Sequence, residues 1–195
     1  MGKSVRTKKS GEKRHKRYPI DQCALYQIGS KRRLAKVMGQ EVGLLLKLSE
    51  RSDNYRIFTL RADLSPWSTR RKDRDVQEPK FELRKIHERV FRLLRSVETP
   101  NYLYSAVKGR SYIENGKFHV GSLRTLTADI RRFFPATSRA RVVDFFVSDL
   151  KMASDVAHLL AALCCWGDRL STGSPLSPLL SFWANKRMFD ELDEL

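Results

Sequence analysis

Three short segments hold the residues best suited to chemistry. In Leu126-Thr-Ala-Asp129-Ile-Arg-Arg-Phe-Phe-Pro135, a single carboxylate is followed within six residues by two aromatic rings and a proline. A carboxylate of this kind can hold a hard divalent cation. In Leu170-Ser-Thr-Gly173-Ser-Pro-Leu-Ser177-Pro178-Leu-Leu, a Gly/Ser/Pro loop feeds an apolar helix, and Gly173 permits close backbone approach. The third segment, Lys108-Gly-Arg110-Ser111, follows Tyr102 and Tyr104 and precedes Asn115 and His119, so it pairs cations with aromatic rings. Each has a plain structural explanation. An aspartate at a strand end is usually a cap or a surface charge, and Phe133 and Phe134 suit a core. Ser177 reads as a helix N-cap with Pro178 at the first helical position. His119 and His158 lack Cys or His partners at ligand spacing, which argues against zinc.

The elements that must position these segments can be read from periodicity. Ser30 is an N-cap, Leu34, Val37 and Met38 share a helix face, and Gly39 stops the helix. A second short helix is expected over 41–48. The β-forming run from Tyr55 to Arg61, a polar turn through Ser65 and Arg70, and a return over 71–77 predict an antiparallel hairpin that Pro79 ends. Lys72, Arg71 and Arg74 lie along it as a solvated basic edge. Leu83, Ile86, Val90, Leu93, Leu94 and Val97 recur at three and four, so 81–97 is an amphipathic helix. Its Lys85, Arg89, Arg92 and Arg95 should form a solvated basic face. Residues 99–119 read as irregular. Alternation over 123–130 predicts a strand carrying Asp129 near its end. Helices are expected over 138–150, 151–167 and 177–192. Helices and strands in this order make an α+β chain.

The 195 residues include 38 Lys and Arg against 22 Asp and Glu, a formal charge of +16. Such an excess points first to a polyanion, because neutralising phosphates releases counterions. An acidic membrane fits less well, since the basic residues follow no regular amphipathic face. The longest apolar run, Ala157 to Trp166, is broken by His158 and falls short of the ~18 residues a membrane span needs. Three cysteines, Cys23, Cys164 and Cys165, cannot close a disulfide framework. A reduced, soluble, cytoplasmic protein is the expectation. Residues 1–20 read as a disordered basic arm, with eight Lys and Arg before residue 18 against Glu12 alone.

Taken together and in order, these segments resemble a known family. The chain is similar to bacterial retron-type reverse transcriptases, which are related to those of group II introns. Asp129-Ile130 with Phe133-Phe134-Pro135 resembles the first palm motif of that family, and Gly173 with Ser177-Pro178 its Gly-x-x-x-Ser-Pro motif. Lys108-Gly109-Arg110-Ser111 with His119 resembles the block ahead of the palm strand, and Lys72-x-Arg74 with Pro79 and Ile86 the fingers hairpin and following helix. Leu25-Tyr26 and Ser30-Lys31 suit the family N-terminus. The resemblance implies fingers and a partial palm of a right-hand polymerase, divided as 21–120 and 121–195, with the thumb absent. It implies RNA-directed DNA synthesis with two Mg²⁺ ions. Asp129 and the Ile130 carbonyl would be metal ligands, Lys72 and Arg74 would close on the triphosphate, and Phe134 would exclude a 2′-hydroxyl. Gly173 would admit the incoming nucleotide. Lys108, Arg110, Ser177 and Pro178 would face template and primer.

The implied partners are a structured RNA template, an RNA/DNA hybrid and deoxynucleoside triphosphates. The departures matter equally. No Tyr-x-Asp-Asp occurs, Thr172 stands where many relatives have Gln, and Arg132 where an acid is common. One carboxylate cannot hold two divalent ions, so the chain alone is expected not to polymerise. A fragment, a subunit completed by a second polypeptide, and a catalytically dead RNA-binding relative all remain open.

Overall fold

The computed structural model describes residues 17–194 apart from 64, 66, 68–71, 106, 108 and 123. Most of the expected basic arm, part of the hairpin turn, and Lys108 lie outside the described residues. Helix α1 (Lys31–Met38) starts where Ser30 Oγ accepts a hydrogen bond from Arg33 N at 3.3 Å, and it stops at Gly39, whose φ of 67° suits a residue without Cβ. Helix α2 (Val42–Glu50) follows. Strands β1 (Tyr55–Leu60) and β2 (Arg74–Pro79) pair antiparallel, with Tyr55 opposite Pro79 and Leu60 opposite Arg74. Helix α3 (Phe81–Leu94) buries Leu83, Ile86, Val90 and Leu94 along one stripe. The basic face of α3 is not wholly solvated, because Arg89 Nε donates to Val37 O at 2.9 Å and ties α3 to α1.

Helix α4 (Tyr112–Phe118) corrects the irregular reading of 99–119. Ser111 accepts from Glu114 N while the Glu114 carboxylate accepts from Ser111 N, a complete capping box. The strand expected over 123–130 is a second correction. Residues 124–130 form no strand, since β1 and β2 pair only with each other and an extended segment without a partner leaves its backbone groups to water. The short helix α5 (Phe133–Ala136), α6 (Arg139–Asp144), a π-helical turn (Phe145–Asp149) and α7 (Ser154–Cys164) follow. The helix expected over 177–192 is two: α8 (Ser177–Ala184) and α9 (Lys186–Asp193) break at Asn185. Asn185 uses its amide elsewhere, donating to Thr137 Oγ1 and Ser181 O and accepting from Arg141.

One buried cluster runs through residues on both sides of position 120, from Leu34, Leu45, Ile86 and Val90 to Phe146, Leu160 and Leu180. Helix α7 is apolar around most of its circumference and sits centrally, against α2, α3 and α6. None of the described helices is long and apolar enough to cross a membrane. In contrast to the core, Tyr112, Ile113, Phe118, Val120 and Leu126 are exposed.

Candidate functional site

The loop before α8 is fastened to the hairpin. Gly173 N donates to Gln77 O at 3.2 Å, Thr172 Oγ1 to Asp75 O at 2.8 Å, and an Arg74 guanidinium nitrogen to Thr172 O at 3.0 Å. Buried Gln77 turns its side-chain oxygen to Thr172 N at 3.3 Å. A Cβ on Gly173 would stand 2.7 Å from Gln77 O and from Val76 Cγ1. Strand β2 by itself therefore requires the glycine, independently of any approaching nucleotide. Thr172 is likewise explained: its short hydroxyl side chain is the node between loop and hairpin.

From the other side, His87 holds the same loop. This wholly buried residue of α3 lies 2.6 Å from Ser174 Oγ through Nδ1 and 2.7 Å from Leu163 O through Nε2. A carbonyl only accepts, so Nε2 carries the proton and Nδ1 accepts from the Ser174 hydroxyl. Burial without a charged partner pushes the His87 imidazole down to about 4. Sequence reasoning passed over His87 because it sits in the apolar stripe of α3. The signal available was a polar residue one position after Ile86, on a face that otherwise faces the core.

Between hairpin and loop lies a cleft of about 510 Å³, lined in part by Arg74, Gln77, Arg132, Phe134, Trp166 and Arg169. Phe134 reaches it from α5, which is pinned through Thr137: Thr137 Oγ1 donates to Phe133 O and accepts from Asn185. Arg132, at the start of α5, has a φ of 54°, a left-handed conformation that costs a non-glycine residue ~1 kcal/mol or more. Thus the structure brings Arg74 and Phe134 together beside Thr172 and Gly173. Lys72 is exposed two residues before Arg74.

The remaining expected residues lie elsewhere. Asp129 and Ile130 are on the exposed segment 124–130 and do not line the cleft. Ser177 is not an N-cap: Leu176 occupies that position, and buried Ser177 Oγ donates to Ser171 O at 2.6 Å, with Pro178 in the first turn of α8. Arg110 donates to Pro100 O and Leu103 O and so closes its own loop. Among the described residues no three His, Cys, Asp or Glu side chains gather as a metal would require. The described side chains therefore do not form a two-ion centre by themselves. A larger cleft of about 890 Å³, near Asp144, Asp149 and Trp183, takes in none of the expected residues.

No protein-family model matches the chain. In sequence it is 26% identical over 130 residues to the Retron Se72 reverse transcriptase of Salmonella heidelberg, an alignment covering 64% of this chain and 34% of that protein. It is 27% identical over 128 residues to the Retron Ec86 reverse transcriptase of Escherichia coli, covering 65% and 38%. The chain thus spans little more than a third of the length of these relatives. Over about two thirds of its own length, the chain is a homologue of the retron reverse transcriptases.

Proposed function

We propose that this chain supplies the fingers and part of the palm of a retron-type RNA-directed DNA polymerase. One observation carries the reading. Arg74 and Thr172, 98 residues apart, are hydrogen-bonded at the wall of a cleft that Phe134 also lines. Three separate segments thus converge on one pocket, in which Arg74 would meet an anionic triphosphate and Phe134 the sugar. Lys72 adds a second cation on the same strand end. The template would be a structured RNA, the product an RNA/DNA hybrid, and the substrates deoxynucleoside triphosphates. In a completed site, bound Mg²⁺ would supply positive charge at the primer hydroxyl and the phosphates. Asp129 and the Ile130 carbonyl are the ligands this chain could offer, and further carboxylates must come from other residues. The rest of the palm and the thumb, in a longer form of this chain or in a second polypeptide, would bring them. The exposed apolar residues from Tyr112 to Leu126 are surface that this remainder would cover.

The test is primer extension on an RNA template with Mg²⁺ and deoxynucleotides, using the chain alone and the chain completed by the remainder of a retron relative. The chain alone should not extend, and the completed enzyme should. Asp129→Asn in the completed enzyme should lower extension by several orders of magnitude while leaving RNA affinity within about twofold, because phosphate contacts rest on Lys and Arg. An Asn variant extending at the parent rate removes Asp129 from the reaction.

A second reading has its own observation. Arg132, a cation, lines the cleft while Asp129 does not. Both facts suit a protein that binds RNA without catalysis. RNA binding without any extension by the completed protein would support it.

A further inference from the structure

We infer that the turn from Trp166 to Arg169 is a stacking platform for an unpaired nucleobase of an RNA strand at the rim of the cleft. The inference rests on the proposed nucleic-acid reading and deepens it. The turn is tight and well fastened. Trp166 N donates to Arg169 O at 2.8 Å, and Arg169 N returns a bond to Trp166 O at 3.4 Å. Gly167, with φ of 63°, makes the reversal possible. The turn is anchored to the start of α6, where Arg139 N donates to Asp168 O at 2.6 Å and Ser138 bridges Arg169. Trp166 and Arg169 are thereby held side by side, the guanidinium carbon 5.2 Å from the indole ring centre.

This pair has no evident duty in the core. Trp166 is half-buried and belongs neither to the buried cluster nor to the side chains packed against it. Among the described residues the carboxylate paired with Arg169 is that of exposed Asp168, at 4.0 Å. Arg132 lines the same cleft, and Arg139 begins the neighbouring helix. Neither side chain has a hydrogen bond or ion pair among the described residues. The cleft also carries Asp73 and Asp75, whose carboxylates are engaged by Arg61 and Thr59, and an indole with a guanidinium over it, flanked by Arg132 and Arg139, fits one ligand chemistry well. A base stacks on the indole and guanidinium planes while the neighbouring arginines take the phosphates on either side. A paired base would hide its faces in its own stack, so the ligand is a single strand.

The test uses the full chain without metal and two labelled RNA strands of equal length, one normal and one abasic at its central positions. Fluorescence anisotropy should show the parent binding the normal strand at least about tenfold more tightly, the effect expected of a stacked base. Trp166→Ala should erase that preference while still binding the abasic strand as the parent does. Trp166→Phe should retain most of it, which separates stacking from a folding defect. Arg169→Ala should weaken both strands. If Trp166→Ala keeps the parent's preference, the platform is overturned and the nucleic-acid reading stands. If the parent binds neither strand, that reading falls and the platform falls with it.

Discussion

His87 spends both ring nitrogens inside the protein, one on the carbonyl of α7 and one on the hydroxyl of the loop before α8. Protonating the ring would turn Nδ1 into a second donor, with only the Ser174 hydroxyl to accept from it, and would bury the charge among apolar walls. In the folded chain the imidazole is held down to about 4 from an ordinary 6.5. Below 6.5 the unfolded chain takes up a proton that the folded chain refuses, so stability falls as pH drops towards 4. The loss between pH 7 and pH 5 should be ~2 kcal/mol, read from urea midpoints at the two values. His87→Gln should flatten that dependence, and an unchanged slope would remove His87 as its cause. Phe134 makes a second prediction at this scale. In a completed enzyme, Phe134→Ala should relax discrimination against ribonucleotides, measured as the ratio of kcat/KM for the two sugars. A variant that only melts earlier, with the ratio intact, would make Phe134 a packing residue.

At the level of elements, two helix caps of the same chemistry should behave differently. Ser30 caps α1, which buries Leu34, Ala35 and Met38, whereas Ser111 caps α4, which buries nothing. Ser30→Ala should cost ~1 kcal/mol of global stability. Ser111→Ala should leave the denaturant midpoint unchanged and speed hydrogen exchange only at the α4 amides. Equal effects on the midpoint would contradict the assigned burial. The same contrast explains what could be read in the sequence. The elements that bury an apolar stripe, α1, α2 and α3, were legible within a few residues, and so was the hairpin. Helix α4 was missed because it has a cap but no stripe, although Ser111 and Glu114 stand at capping-box spacing. The strand over 123–130 was expected from alternation, which says nothing about whether a partner strand exists. Asn185 looked like one more helical residue, and only the fold shows its amide drawn to Thr137. Of the candidate site, Arg74, Phe134 and Gly173 could be named from motifs. Trp166 and Arg169 could not, since their pairing depends on a turn. His87 was hidden by the apolar pattern around it.

For the molecule as a whole, charge and core act on different timescales. The excess of +16 governs encounter with a polyanion, which is fast and sensitive to salt. The core governs how rarely the chain opens, and three native side chains can report that. Cys23, Cys164 and Cys165 are free thiols, each under 5% exposed and all within one cluster. Burial pushes the Cys165 thiol up to about 12 and raises the other two, so almost no thiolate forms at neutral pH. The protein therefore carries its own opening clock. Ellman's reagent should label three thiols at once in denaturant and none promptly in buffer, and the slow native labelling should follow the frequency of core opening. The vicinal pair at the end of α7 makes the clock selective. Saturating the cleft with single-stranded RNA should slow labelling of Cys164 and Cys165, which lead directly into the Trp166 turn, more than labelling of Cys23.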